Sequence, residues 1–395
     1  MQKNIVQTGI ERLVADPSVS KIVKGKRLGL LANPASVNRD LEHSRDLLAQ
    51  AFPGHLKALF SPQHGFFSEK QDNMIASSDI RDPFLKIPIF SLYGPRRIPE
   101  QDMLDLIDTL IIDLQDVGTR VYTFIYTMAL CLEAARKYGK EVVVLDRPNP
   151  IGGNQAEGNC LNADYTSFVG MYPIPMRHGL TVGEIARLFN EHFEIGCNLT
   201  VVPMSGWKRD MYFSDTSLPW VIPSPNLPTP ASALVYPGQV LWEGTNISEG
   251  RGTALPFELF GAPFIKPAFL KDLSEQVEYP GVHLRCAGFE PTSNKWQGTL
   301  CYGFQLHVTD PMRFRPYKTT LSLLQTVLKA YPEEFEWKKP PYEYEYEKLP
   351  IDLIIGDQEI RKAIESFEDI ESIEERWVDE LKEFEEIRKT YLLYE

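Results

Sequence analysis

The stretch TLIIDLQDVGTR, residues 109–120, decides the fold class. Its first six residues are a nearly continuous apolar run, and its second half is polar and turn-forming. A strand with one wet face alternates apolar and polar residues. A run that is apolar at successive positions reads as a strand covered on both faces, the hallmark of a parallel sheet between helices. EVVVL, residues 141–145, repeats the pattern. Outward from these two lie further short β-rich runs at Arg27–Ala32, Leu56–Phe60, Ile87–Tyr93 and Leu199–Val202. Segments with helical periodicity fall between them, at Leu41–Ala51, Glu100–Asp108, Tyr122–Tyr138 and Thr181–His192. The last opens on Thr-Val-Gly-Glu, a capping-box pattern. Strands alternating with helices imply an α/β fold: a Rossmann-like, doubly wound, mostly parallel sheet with crossover helices. No GxGxxG follows the first strand and no GxxxxGK[ST] occurs, so a dinucleotide fingerprint and a phosphate loop are both missing.

From Trp207 to Pro267 the chain turns irregular and rich in Pro, Gly and aromatic residues. The prolines in WVIPSPNLPTP and YPGQVLWEGTN argue against regular helix there. Helices and short strands mix after residue 265, and a charged helix is expected from Ile370 to Tyr394. The expected organisation is a Rossmann-like domain over residues 1–264, with long irregular loops at 205–264. A smaller α+β domain over residues 265–395 closes a cleft against it.

Composition narrows the partners. The 395 residues carry 41 Lys and Arg against 54 Asp and Glu, a formal net charge of -13. A nucleic-acid partner is not expected from so acidic a chain. Much of the acidity follows Glu333, in EEFEWKKPPYEYEYEKLP and the Glu-rich final helix, and reads as a solvated face. No run approaches a membrane span. The first residues, MQKNIVQTGIERLVADP, lack the apolar core of a signal peptide. The five cysteines are scattered, with no metal-ligand spacing, so reduced thiols, a cytoplasmic location and no metal are expected, although an exported chain trimmed of its leader would look similar. Oligomeric state stays open.

In open α/β sheets ligands bind at the carboxyl ends of the strands, and the polar residues of this chain gather there. After Leu56–Phe60 comes Ser61-Pro-Gln63-His64-Gly65. After Thr109–Leu114 come Asp116, Arg120 and Tyr122, with Asp113 at the strand end. After Glu141–Leu145 come Asp146, Arg147 and Asn149, held by two prolines. His178 precedes a glycine in a second Pro-containing loop. LVYPGQVLWEGTNISEGRG, residues 234–252, adds Glu243, Asn246, Glu249 and Arg251 among glycines that let a backbone approach a ligand. Aromatic residues Tyr172, Trp207, Tyr212, Trp220, Tyr236 and Trp242 offer platforms suited to a sugar. Each of these groups also has an ordinary structural use: Asp113 as a helix cap, Asp146 with Arg147 as an ion pair, the aromatics as loop packing.

SPQHG, SLYG, DLQDVGTRVYTFIYTM, LDRPNPIGG, FVGMYPIPMRHGLTVGE, GWKRDMYF, PSPNLPTP, VYPGQVLWEGTNISEGRGT and PFELFGAPFI, in this order, resemble the bacterial exo-β-N-acetylmuramidase family, formerly a domain of unknown function. The resemblance covers essentially the whole chain, is densest from Leu59 to Ile265 and thins after about residue 310. It implies a Rossmann-like domain without a dinucleotide, a smaller C-terminal domain, and hydrolysis of a terminal N-acetylmuramic acid from peptidoglycan fragments. It implies no cofactor. Family members carry Glu, the favoured acid or base, at the position of Gln63. An amide has no titratable proton, so either another carboxylate acts, or catalysis is substrate-assisted, with the sugar's acetamido oxygen attacking and Gln63 or an Asp orienting it. Glu249 is the expected replacement and Glu243 the second, with Glu69 and Glu157 behind them; Glu69-Lys70-Gln71-Asp72-Asn73 supplies further acidic and amide groups. The expected catalytic set is Glu249, Glu243, His64 and Gln63. The expected substrate contacts are Asp113, Asp116, Arg120, Tyr122, Asp146, Arg147, Asn149, His178, Asn246 and Arg251. A glycan-binding or sensor protein without catalysis is the alternative, as is a hydrolase for a different sugar. A transferase or esterase is disfavoured by the missing phosphate loop and GxSxG motif.

Overall fold

The computed structural model describes residues 5–71 and 74–395, so Asp72 and Asn73 lie outside the described residues. The strands, in chain order, are β1 (Leu28–Ala32), β2 (Leu56–Ser61), β3 (Ile80–Arg81), β4 (Pro88–Ser91), β5 (Thr109–Asp113) and β6 (Glu141–Leu145). They continue with β7 (Glu157–Cys160), β8 (Pro175–Arg177), β9 (Asn198–Val202), β10 (Leu259–Ala262), β11 (Val282–Phe289) and β12 (Cys301–Val308). A seven-stranded sheet runs β3-β4-β2-β1-β5-β6-β9, parallel except for the short edge strand β3. β10, β12 and β11 form a separate antiparallel sheet, and β7 pairs with β8. The fold is the expected α/β sheet with a smaller C-terminal part built on an antiparallel sheet. β10 lies upstream of residue 264 yet pairs in this second sheet.

The two faces of the central sheet follow from the period-two alternation of side chains along a strand. Leu28, Leu30, Ile111 and Val143 face one side, where they meet Ile10 and Leu13 of the helix Gly9–Ala15 and Leu47 and Leu48 of Ser44–Ala51. Leu31, Leu110, Ile112, Val142 and Val144 face the other, against the helix Phe124–Lys137. Both faces are dry, which is why 109–114 and 141–145 read as nearly continuous apolar runs.

Two expectations are corrected. YPGQ does not break the helix: Pro230–Gln239 is helical with Pro237 inside it, and a 3₁₀ turn follows over Val240–Gly244. Pro230 sits in the first turn, where no N–H is needed, and Thr229 Oγ1 accepts from Ser232 N. The helix then packs along Pro316–Ala330, and a Cβ at Gly238 would fall 1.9 Å from the Pro316 carbonyl oxygen. Tertiary packing outweighs the hydrogen bond that Pro237 cannot make. The final helix is also divided, into Ile370–Glu375 and Val378–Lys389, where buried Trp377 turns inward against Tyr317. The end of the chain returns to the first layer: Leu393 N donates to Glu184, and Tyr394 Oη donates to Asp146 at 2.5 Å.

Candidate active site

A narrow cavity of about 40 Å³ opens at the carboxyl ends of β2 and β5. Several separate stretches build its wall. The loop after β2 supplies Gln63 and His64, and the turn after β5 supplies Tyr122, Thr123 and Phe124. The proline-rich segment supplies Ser224 and Leu227. Glu243, Arg251, Tyr342 and Glu343 close the far side from the C-terminal half.

Gln63 is buried and fully engaged. Its Oε1 accepts from Thr123 Oγ1 at 2.6 Å, which leaves Nε2 to donate to Glu343 Oε1 and to Tyr93 Oη, both at 3.1 Å. His64 has φ +76°, a left-handed conformation uncommon outside glycine. Its Nδ1 lies 2.7 Å from the Lys70 carbonyl, which can only accept, so Nδ1 carries the proton.

Glu343 is the residue that the sequence reading missed. It stands in the Tyr-Glu alternation after Pro340-Pro341, part of the tail read as a solvated face, yet it is only 4% exposed. Its φ is +48° and that of Tyr344 is +69°. Two successive non-glycine residues held there store strain, of the sort that gathers at functional sites. Tyr93 Oη donates to Glu343 Oε2 at 2.7 Å. Tyr93 Oη itself accepts from Met74 N at 2.9 Å, which commits its own proton to Glu343. Burial raises the Glu343 carboxyl, the Tyr93 and Gln63 hydrogen bonds pull it partly back, and Glu243 pushes it up again. Arg97 subtracts a little, and the balance is a rise. The available sequence signal was aromatic residues alternating with carboxylates directly after two prolines.

Glu243 has the opposite setting. Burial works to raise it, but the charge and hydrogen bond of Arg251 and the hydroxyl of Tyr342 outweigh that, and its carboxyl is lowered. Arg251 donates to Glu243 Oε1 at 2.6 Å and Tyr342 Oη to Oε2 at 2.8 Å. The same Arg251 approaches Glu249 Oε1 at 3.2 Å, while Lys295 Nζ reaches Glu249 Oε2 at 2.8 Å. Glu249 is thus held between two cations and lines an adjoining recess with Lys295 and Lys338, not the wall that holds Gln63. The expectation of Glu249 as the acid is replaced on this ground. Glu69 is exposed on the loop surface, and Glu157 is buried in β7 away from the cavity.

Most of the expected substrate contacts are spent internally. Arg120 is completely buried and donates to the carbonyls of Asn159, Ile174, Ile354 and Ile355, tying the two halves of the chain together. Arg147 pairs with Asp113 through Nε at 2.5 Å and Nη2 at 2.8 Å, and Ser44 bonds the same carboxylate. Asp146 accepts from Thr181, Gly183 and Tyr394; Asn149 donates to Leu180 O; Asn246 donates to Glu334 O and accepts from Glu336 N. The hydrogen-bonding demand of buried polar groups accounts for all of these. His178 Nε2 stands 3.5 Å from Asp116 Oδ2, and neither residue lines the cavity. Of the expected residues, the structure brings Gln63, His64, Tyr122, Glu243 and Arg251 together. Of the aromatic platforms, Tyr236 reaches the wall, while Trp242 stacks on Phe260 and Trp207 packs on Tyr394. Among the described residues no group of three or more His, Cys, Asp or Glu could hold a metal, and no helix is long and apolar enough to cross a membrane.

Known proteins are similar over the same extent. Residues 28–231 match the family model described as exo-beta-N-acetylmuramidase NamZ, N-terminal, and residues 234–394 match its C-terminal counterpart. The peptidoglycan beta-N-acetylmuramidase NamZ of Bacillus subtilis (strain 168) is 48% identical over 393 residues, covering 100% of this chain and 92% of the relative. A crystal structure of a DUF1343 family protein from Bacteroides fragilis superposes with a TM-score of 0.89 at 33% identity, covering 99% of this chain and 100% of that one. A second such protein from the same organism gives a TM-score of 0.75 at 29% identity, covering 99% of each chain. With both halves matched in order and a full-length relative at this identity, the chain belongs to the exo-β-N-acetylmuramidase family.

Proposed function

We propose that this chain is an exo-acting glycoside hydrolase that releases a terminal amino sugar of the N-acetylmuramic acid type from peptidoglycan-derived fragments. The observation that carries the reading is the pair Glu243 and Glu343 on the wall of one cavity, in environments that drive their proton affinities apart. Glycosidases work with two carboxyl groups in different protonation states, and a pair split by its surroundings provides them. Family membership supplies the sugar class. Gln63, His64, Tyr122, Arg251 and Tyr342 are the neighbours that would shape the sugar's pocket. We place the activity in the cytoplasm, as part of cell-wall recycling. The free state of all five cysteines supports that placement.

The test is turnover of chromogenic β-glycosides of N-acetylmuramic acid and N-acetylglucosamine by the purified chain. Release from the muramic acid glycoside, with little from the other, is expected. Binding of the sugar without turnover of any amino-sugar glycoside would replace hydrolysis by glycan binding.

A further inference from the structure

The position where the resemblance implies the family's acid holds Gln63 in this chain, and Gln63 is buried and fully hydrogen-bonded. The Gln63 amide is aimed at a carboxyl that comes from a distant part of the sequence. Glu343 reaches the cavity from the C-terminal half, 280 residues along the chain from Gln63. We propose that Glu343 is the general acid of the reaction, with Gln63 and Tyr93 as the positioning residues that aim it. This deepens the hydrolase reading above and rests on it.

A count of hydrogen-bonding capacity gives the mechanism. Each carboxyl oxygen of Glu343 offers two acceptor directions. Tyr93 Oη occupies one on Oε2, and Gln63 Nε2 occupies one on Oε1. Gln63 cannot turn its amide over without losing its bond from Thr123. Both partners donate, so neither can take the acid's proton away. That proton is left on a carboxyl lining the cavity. On reaction it passes to the glycosidic oxygen as the bond from C1 to that oxygen breaks, and the bonding electron pair stays with the departing sugar alcohol. The oxygen of one water ends on C1, and the second proton of that water restores the acid. Glu243, held ionised between Arg251 and Tyr342, is the complementary carboxylate. The groups that face Glu343 are Gln63 and Tyr93 from the first layer, Arg97 near its main chain, and Tyr342, Tyr344 and Glu243 from its own side. An acid assembled this way exists only when the C-terminal half is docked on the β2 loop.

Leaving-group dependence separates an acid from a structural residue. A sugar alcohol needs protonation to depart, whereas a dinitrophenolate does not. E343Q is expected to lower kcat on a muramic-acid-terminated disaccharide on the order of 10²- to 10⁴-fold, while the dinitrophenyl glycoside loses far less. That second substrate also reports that the variant is folded. Y93F removes a donor to the ionised form, so the alkaline limb of the disaccharide pH profile should move up by about one unit. Equal losses on both substrates, or an E343Q enzyme as active as wild type on the disaccharide, would overturn the assignment while leaving the hydrolase reading intact. An alkaline limb unmoved in Y93F would count against it too. A wild-type chain inert on every amino-sugar glycoside would overturn both.

Discussion

Replacing Gln63 by Glu puts a second carboxyl where an amide now donates to Glu343 Oε1 at 3.1 Å. Thr123 Oγ1 still has its acceptor, so the new side chain is held in the same place. Two carboxylates at that separation repel by about 5 kcal/mol at an effective dielectric constant of about 20. At about 1.4 kcal/mol per unit this corresponds to ~4 pK units. Side-chain rotation relieves part of the repulsion, and a rise of about 2 units in the pair's second proton loss is expected. The pair therefore keeps one shared proton through neutral pH, as acid dyads do. Activity at neutral pH should be retained or increased, and the alkaline limb of kcat on a muramic-acid-terminated disaccharide should move up by about 2 units. Stability gives an independent readout. The folded-state pKa of the pair is raised above the unfolded value of about 4.3, so the variant matches wild type near pH 4 and loses stability against it as pH rises. The measurements are pH–rate profiles from pH 4 to 10 and thermal unfolding at pH 4 and 8. An alkaline limb that stays in place, with a Tm difference that does not depend on pH, would show that the two side chains do not meet, and the site geometry would be wrong.

Three other perturbations probe the surroundings. Arg251→Ala leaves Glu243 and Glu249 buried with one cation fewer, and urea unfolding should show a loss of about 3–5 kcal/mol, with Arg251→Lys recovering part of it. Arg120→Ala orphans carbonyls on both halves of the chain; it should cost about 3 kcal/mol or more in the same assay, while KM of the surviving folded enzyme is expected to stay unchanged, because Arg120 is fully buried and does not line the cavity. Glu157 sits in β7 with Oε2 unpartnered among the described residues, and burial pushes it up to about 7. A raised carboxyl costs stability once pH passes the unfolded value, so Glu157→Gln should stabilise by about 2–3 kcal/mol at pH 8 and do nothing at pH 4, read by Tm at the two pH values.

The strand runs at 28–32, 56–61, 109–113, 141–145 and 198–202 were legible in the sequence because their pattern is local. Side chains two apart share a face, and a strand dry on both faces leaves no polar alternation. Family motifs such as SPQHG and VYPGQVLWEGTNISEGRGT were equally legible, since the order of residue types is itself sequence. The roles of the charged residues were not. Arg120, Arg147 and Arg251 look alike in a loop, yet Arg120 bonds four carbonyls, Arg147 one buried aspartate, and Arg251 two glutamates beside the cavity. What each guanidinium does is set by partners up to 235 residues away. The helix through Pro237 is the same case for the backbone, where contact with Pro316–Ala330 overrides a local preference. Glu343 is the clearest instance. Within its own stretch it is one glutamate in an acidic, aromatic tail. Only docking of that tail onto the β2 loop buries it, joins it to Gln63 and Tyr93, and changes its proton affinity, because desolvation and hydrogen-bond partners belong to the folded assembly and not to the residue.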